Sequence, residues 1–243
     1  YNAGQKSLFV NYIYQSIFGT NPSQMYSAGL SFNYDKYDED FRDPVFNYGE
    51  DISTDFINMK REERVPGAFF QYTGEFLDQR FIVMAGLRYD YHNIFGSIWT
   101  PRAHIMYKPD EFTSIKATFG RGLRTPNILA ENSYLLASAA NFYVNGELLG
   151  KNPALLDDLK MEDSWNFGAN VNRKFEVFGR TLNINLDYYH TKFNDQVVVD
   201  NETAYNKVNF YNLDGDSYSN CYQVEVKYEL IPRLEATLAY RYN

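Results

Sequence analysis

The sequence predicts an all-β chain, about ten antiparallel strands of a transmembrane β-barrel. Three observations carry this. Segments of roughly ten residues alternate apolar and polar side chains. The apolar sets are capped by Tyr, Phe or Trp. The connections also alternate, one very short and the next longer and polar.

Composition agrees with a single wall domain spanning 1–243. The chain is 18% aromatic and holds 22 Tyr, yet its mean hydropathy is only −0.48. A transmembrane barrel shows both, because half of each strand faces a wet lumen. No run of ~18 apolar residues exists to form a transmembrane helix. The net charge of −8 argues against a nucleic-acid partner. The one cysteine, Cys221, excludes an internal disulfide and a Cys-based metal site, and reads as a packed thiol. The chain starts at Tyr1 with neither Met nor signal peptide, so a piece of a larger or processed protein is expected.

The elements follow in order. Strands are predicted at 5–15, 25–37, 64–77, 80–92, 101–109, 112–121, 162–175, 180–199, 207–229 and 233–242. In 81–90 every odd position is apolar or aromatic, from Phe81 to Tyr89. Leu182, Ile184, Leu186 and Tyr188 oppose Asn183, Asn185, Asp187 and Tyr189. Tyr222, Val224, Val226 and Tyr228 oppose Gln223, Glu225, Lys227 and Glu229. The segment 207–229 is interrupted by Asp214-Gly215-Asp216 but is kept whole, which preserves the short/long alternation.

Short connections fall at Gly19–Pro22, Asp78-Gln79, Pro109–Glu111, Glu176–Gly179 and Ile231-Pro232. Long ones fall at 38–63, 93–100, 122–161 and 200–206. Periplasmic turns are the short ones in such barrels, which orients every strand. Tyr34, Tyr89, Phe119, Tyr188 and Tyr240 then cap the outer end of the apolar face. Phe76, Tyr107, Phe175 and Tyr228 cap its inner end, giving two aromatic girdles. A soluble antiparallel sandwich also alternates, but its strands run ~5–6 residues. Lys116 and Lys227 would each cost ~2–4 kcal/mol facing mid-bilayer lipid, and both fall on the polar face.

Several motifs, in order, carry a family resemblance. They are Pro66–Tyr72, Gly86–Asp90 followed by Thr100-Pro101-Arg102, Gly120–Asn127, Asn152–Leu155 and Leu159–Ser164. Together they resemble TonB-dependent outer-membrane receptors. Met161 stands where that family usually has Pro, and Cys221 and Gln223 replace a common GxE pattern. The resemblance implies a barrel of ~22 strands, of which about ten are here. A plug domain, a TonB box and the terminal aromatic strand are not found in this stretch. It implies an outer-membrane transporter without enzymatic activity or cofactor, taking up a ferric siderophore, haem or cobalamin. Its implied partners are the TonB complex, the lipid bilayer, the metal-chelate ligand and, optionally, a surface lipoprotein. The rival readings are a passive porin or adhesin barrel and a barrel-embedded hydrolase.

The candidate ligand contacts lie in the outer loop 122–161: Arg124, Asn132, Tyr134, Asn141 and Tyr143. Amides and tyrosines supply hydrogen bonds and flat contact to a large polar ligand. The competing reading is that Pro126, Asn127 and Glu131 only fold the loop. Arg88, Arg102, Lys116 and Glu225, with Lys227 and Glu235, point into the lumen and are read as plug-facing. Asp35, Asp38, Glu39, Asp40 and Asp43 lack EF-hand spacing and read as a solvated acidic loop rather than a metal site. His92 and His104 point inward towards opposite ends, which argues against a shared metal site. Asp90 and His92 share a face, so an acid–base pair is the only catalytic prospect, and no G-x-S-x-G element accompanies it.

Overall fold

The structure is a computed structural model describing residues 2–41, 57–137, 140–149, 153–204 and 206–243. A ten-stranded antiparallel sheet follows chain order. Its first six strands are β1 (Asn2–Phe18), β2 (Asn21–Phe41), β3 (Ile57–Phe76), β4 (Phe81–His92), β5 (Gly96–Asp110) and β6 (Thr113–Arg124). After one long insertion come β9 (Glu162–Val177) and β10 (Arg180–Asp195), and after a second come β13 (Ser217–Ile231) and β14 (Leu234–Tyr242). Strands β1 and β14 form its two edges.

The register explains the alternation. One line of paired residues runs Phe76, Phe81, Tyr107, Ile115, Val171, Leu186, Val224 and Tyr240 from β3 to β14, with no polar break. The line climbs away from the short-turn end as it crosses the wall, the stagger that tilted strands require. The neighbouring line on the other face reads Lys116, Asn170, Asp187, Gln223 and Arg241 from β6 onward. The two predicted aromatic rows fall on a single face. Ring contacts stitch it together, with Tyr89–Trp99 at 4.6 Å, Phe119–Trp165 at 5.1 Å and Tyr188–Tyr222 at 4.9 Å. Large residues on that face stay open to the surroundings, as lipid contact demands: Leu30 is 63% and Leu238 74% exposed.

The polar face satisfies itself laterally. Asn170 Nδ2 donates to Asn185 Oδ1 at 2.8 Å and to Asp187 Oδ1 at 2.7 Å, and Asn172 Nδ2 to Asn183 Oδ1 at 2.9 Å. A cation also lies on the apolar face near the short turns. Arg173 lies on the apolar face opposite Ile184, near the short-turn end, and its guanidinium carbon sits 5.2 Å from the Phe175 ring. A long side chain at the interface covers an aromatic ring in this way while reaching water.

Three connections differ from expectation. Residues 93–100 are no loop, because β5 begins at Gly96. Asn93 closes that turn onto the β3 backbone, accepting from Arg64 N at 2.7 Å and donating to Glu62 O at 2.8 Å. The acidic run belongs to β2 rather than a loop as far as Asp40, and Asp43 lies outside the described residues. The segment 207–229 is two strands, not one: it parts at Asp214-Gly215-Asp216, where Gly215 has φ +151° and no L side chain is at ease. Residues 197–199 likewise leave β10.

Those residues build a second layer. Strands β7 (Asn141–Val144), β8 (Glu147–Leu148), β11 (Val197–Asp200) and β12 (Lys207–Asn212) form a four-stranded sheet ordered β11-β12-β7-β8. It joins two outer connections that are distant in sequence, through a parallel pairing of β12 with β7. A short helix α1 (Ile128–Glu131) and 3₁₀ turns at Ser133–Ala137 and Pro153–Asp158 pack on it. Phe142, Val144, Val208 and Phe210 fill its centre with Ile128, Leu129, Leu149, Leu155 and Leu159. This cap holds nearly all the buried apolar side chains among the described residues.

The wall geometry makes a test. Leu186→Arg places a guanidinium between Val171 and Val224 on the lipid face and should destabilise the full-length protein in bilayers by ~2–4 kcal/mol. Asn185→Arg, one residue away on the polar face, should cost far less. Urea unfolding from vesicles measures both; equal losses would contradict the assignment of faces.

Candidate functional site

The cap rests against the polar face of the wall at its outer end. Between them lies a cleft of about 320 Å³, lined by Tyr37, Glu39, Lys60 and Arg61 of β2 and β3 and by Pro126–Leu129 and Ala154–Leu159 of the cap. Odd positions of β2 and β3 face the lumen, which aims Tyr37, Glu39 and Arg61 into this space.

Arg61 is the hinge point of the site. Its Nη1 donates to Pro126 O at 3.1 Å, tying the cap to the wall. Its Nε lies 2.8 Å from Glu63 Oε1 but off the N–H direction, an ion contact without a formed hydrogen bond. Nη2 has no hydrogen-bond partner among the described residues. Glu63 is buried, and its second oxygen stands 3.5 Å from His92 Nε2. His92 Nδ1 accepts from Ile94 N at 3.2 Å, so the ring's proton sits on the Nε2 that faces Glu63. Phe95 covers both groups, 4.9 Å from the His92 ring and 5.6 Å from the Arg61 guanidinium carbon. His92 therefore faces Glu63 rather than Asp90, at 3.5 Å and without a formed hydrogen bond. The Asp90 carboxylate is instead forked by Arg88 at 2.6 and 2.7 Å, and Arg88 also donates to Ser31 at 2.7 Å. Gly67 makes room for that pair, since a Cβ there would stand 2.0 Å from Asp90 Oδ1.

The five predicted ligand contacts divide into two groups. Arg124 and Asn132 are engaged within the loop. Arg124 pairs with Glu131 at 3.1 Å and Glu162 at 2.5 Å, and Asn132 Nδ2 donates to Ile128 O at 2.8 Å. Asn127 caps α1 by accepting from Ala130 N at 3.4 Å. Tyr134 is open, 67% exposed, on its 3₁₀ turn. Asn141 and Tyr143 share the face of the cap sheet turned away from its core, with Lys207 Nζ 4.3 Å from the Tyr143 ring centre. The structure thus brings Asn141 and Tyr143 together and keeps Tyr134 on a separate element. Asp200, at the end of β11, is held below the usual carboxylate range by hydrogen bonds from the Thr203 hydroxyl and backbone and from Glu202 N.

Of the presumed plug-facing groups, Arg88 is bound to Asp90, and Glu225 to Lys227 at 3.1 Å. Arg102 and Lys116 are exposed on the same polar face. The acidic run does not converge. Asp35 is buried among Ser7, Asn33 and Gln5, and no group of three metal-ligating side chains occurs among the described residues.

Arg61, Glu63, Tyr37 and Lys60 were missed by sequence reading. Lys60, Arg61 and Glu63 sit in the stretch 38–63 read as loop, where only strand continuation into 57–63 reveals their parity, while Tyr37 ends a predicted strand. The cap did leave a readable trace. Asn145-Gly146, both at positive φ, is a tight-hairpin signal between Phe142/Val144 and Leu148.

An antiparallel wall, apolar outside, polar inside and capped at its outer rim, defines an outer-membrane β-barrel receptor. Residues 1–243 match the family described as TonB dependent receptor-like, beta-barrel, and the chain belongs to that family. A probable TonB-dependent siderophore receptor, PirA of Acinetobacter baumannii, is 26% identical over 157 residues, 62% of this chain and 19% of PirA. The ferric enterobactin receptor PfeA of Pseudomonas aeruginosa, in a variant form, superposes with a TM-score of 0.72 at 17% identity, over 100% of this chain and 36% of that one. The siderophore receptor PirA of Pseudomonas aeruginosa gives 0.67 at 15% identity, over 99% and 43%. This chain thus spans a fifth to under half of these relatives.

The cap's core predicts a local effect. Phe210→Ala removes a fully buried ring stacked 6.2 Å from Phe142 and should weaken the cap by ~3–5 kcal/mol. Hydrogen exchange should speed up at β7 and β12 amides and stay unchanged in β9 and β10; faster exchange throughout would mean that cap and wall unfold together.

Proposed function

We propose that this chain is the wall and outer cap of a TonB-dependent transporter that carries a ferric siderophore-type chelate across the outer membrane. The family match over the whole chain is the observation that supports it most. The names of its relatives, siderophore and ferric enterobactin receptors, narrow the ligand class.

The wall does no covalent chemistry in this reading. It crosses the membrane repeatedly as strands, and further strands complete the barrel beyond β1 and β14, since open edges are not tolerated in lipid. A chelate enters at the rim. Tyr134, Asn141 and Tyr143 offer it hydrogen bonds and flat contact; Arg124 and Asn132 hold the loop that presents them. The cleft beneath the cap then receives part of the ligand. Arg61, which lines the cleft, supplies positive charge there to the oxygens of a chelate. Arg88, Arg102, Lys116 and Glu225 face the lumen where a plug packs, and TonB supplies the energy from the periplasm. The relatives named lend no support to a lipoprotein partner, and none is proposed.

Uptake of radiolabelled ferric siderophores by an iron-starved host making the full-length protein tests the reading. Uptake of at least one should require both this protein and TonB. Uptake that persists without TonB would mark a passive pore, and none at all would end the siderophore reading. Arg61→Gln should weaken binding of that siderophore about tenfold in calorimetry, the scale of one lost charged hydrogen bond.

A further inference from the structure

Charge in the cleft beneath the cap narrows the ligand class. Pro126, Ile128, Leu129, Leu156 and Leu159 line its cap side, and Tyr37 lines its wall side. Four ionic groups share that lining: Glu39, Asp157, Lys60 and Arg61. Lys60 belongs by register parity to the opposite face of β3 and is exposed. Arg61 is thus the cation aimed into the space, and the buried Glu63 stands 2.8 Å from its Nε. Glu39 is buried as well. Three carboxylates therefore act on the cleft against one inward cation.

The surroundings repeat the imbalance. Arg88 is matched by Asp90, Arg124 by Glu131 and Glu162, and Lys160 by Asp195. Asp157 and Asp158 end the 3₁₀ turn Pro153–Asp158. Both also line a second cleft of about 320 Å³, whose cations, Arg121 and Lys160, are already paired with Asp163 and Asp195. An anion entering such a partly dry space needs counter-charge, because a buried charge left unmatched is heavily penalised. A cleft lined by one sign of charge also repels like-charged ligands as they approach. Ferric iron held by three catecholates carries a triple negative charge. Ferric iron held by three hydroxamates carries none, yet its oxygens still accept a hydrogen bond from the Arg61 guanidinium.

We propose that the cleft takes a ferric trihydroxamate of zero or positive net charge, and that Glu39, Glu63 and Asp157 discriminate against tris-catecholates. This assignment rests on the transporter reading above and narrows its ligand. It departs from the ferric enterobactin named for PfeA, which this chain resembles in fold at 17% identity.

The test measures binding to the full-length protein in detergent by calorimetry. The probes are ferric enterobactin, a tris-catecholate, and three linear ferric trihydroxamates that differ only in the tail, which ends in an ammonium, an acetamide or a succinyl carboxylate. The ammonium and acetamide forms should bind about tenfold tighter than the carboxylate form and than ferric enterobactin. The tail series separates charge from shape. Raising salt from about 50 to about 500 mM should shrink the gap between ammonium and carboxylate tails about threefold, because screening weakens the repulsion. Asp157→Lys should shrink the same gap about fivefold. Equal or tighter binding of ferric enterobactin, or of the carboxylate tail, would overturn the assignment and leave the transporter reading standing. Binding of none of the probes, with TonB-dependent uptake of another chelate intact, would overturn it too. Loss of all TonB-dependent chelate uptake would end the transporter reading and this assignment together. The salt comparison uses the unaltered protein, so it decides the matter even if the Asp157 variant misfolds.

Discussion

Every backbone N–H and C=O inside hydrocarbon needs a partner within the protein, and this requirement governs the rest of the molecule. It forces a continuous ladder across the ten wall strands from β1 to β14, in chain order. A continuous ladder fixes register, and register fixes parity, because a slip of one residue would turn every side chain to the other face. The line from Phe76 to Tyr240 is the visible result: eight strands contribute one residue each and none of these is polar. The polar face pays no comparable penalty in a wet lumen, so it tolerates Ile82 and Met106 beside Lys116.

Beyond the bilayer the rules revert to those of water, and the architecture changes with them. Outer connections gain nothing from exposing apolar groups, so the two longest described ones fold together. The cap buries Phe142, Val144, Val208 and Phe210 at 2% exposure or less, while wall residues of the same type stay open. One chain thus carries two opposite hydrophobic patterns. Period-two apolarity in the wall points outward to lipid; the same period in β7 and β12 points inward to a core.

This explains which parts were legible in the sequence. The wall strands show themselves through alternation along ten or more residues, and the aromatic ends give their direction. The cap does not. Its strands are short, β12 was absorbed into the longer pattern of 207–229, and its key pairing is parallel between segments more than sixty positions apart, as Lys207 opposite Asn141 shows. Local periodicity carries no information about such partners. The site suffered similarly. Asp90 and His92 were read together from spacing alone, but Glu63 reaches His92 from the neighbouring strand and Arg88 claims Asp90.

The junction of the two regimes is where mechanism is concentrated. Arg61 belongs to the wall by register and to the cap by its bond to Pro126 O. Glu63, His92 and Phe95 surround it, so the guanidinium is held on one side by charge and on the other by an aromatic ring. The cap is well packed within itself and is tied to the wall by Arg61 Nη1 to Pro126 O, by Val197 N to Glu162 Oε1 and by the chain passing between them. Arg61 therefore joins wall, cap and cleft through one guanidinium, with Nη1 on Pro126 O and Nη2 without a hydrogen-bond partner among the described residues.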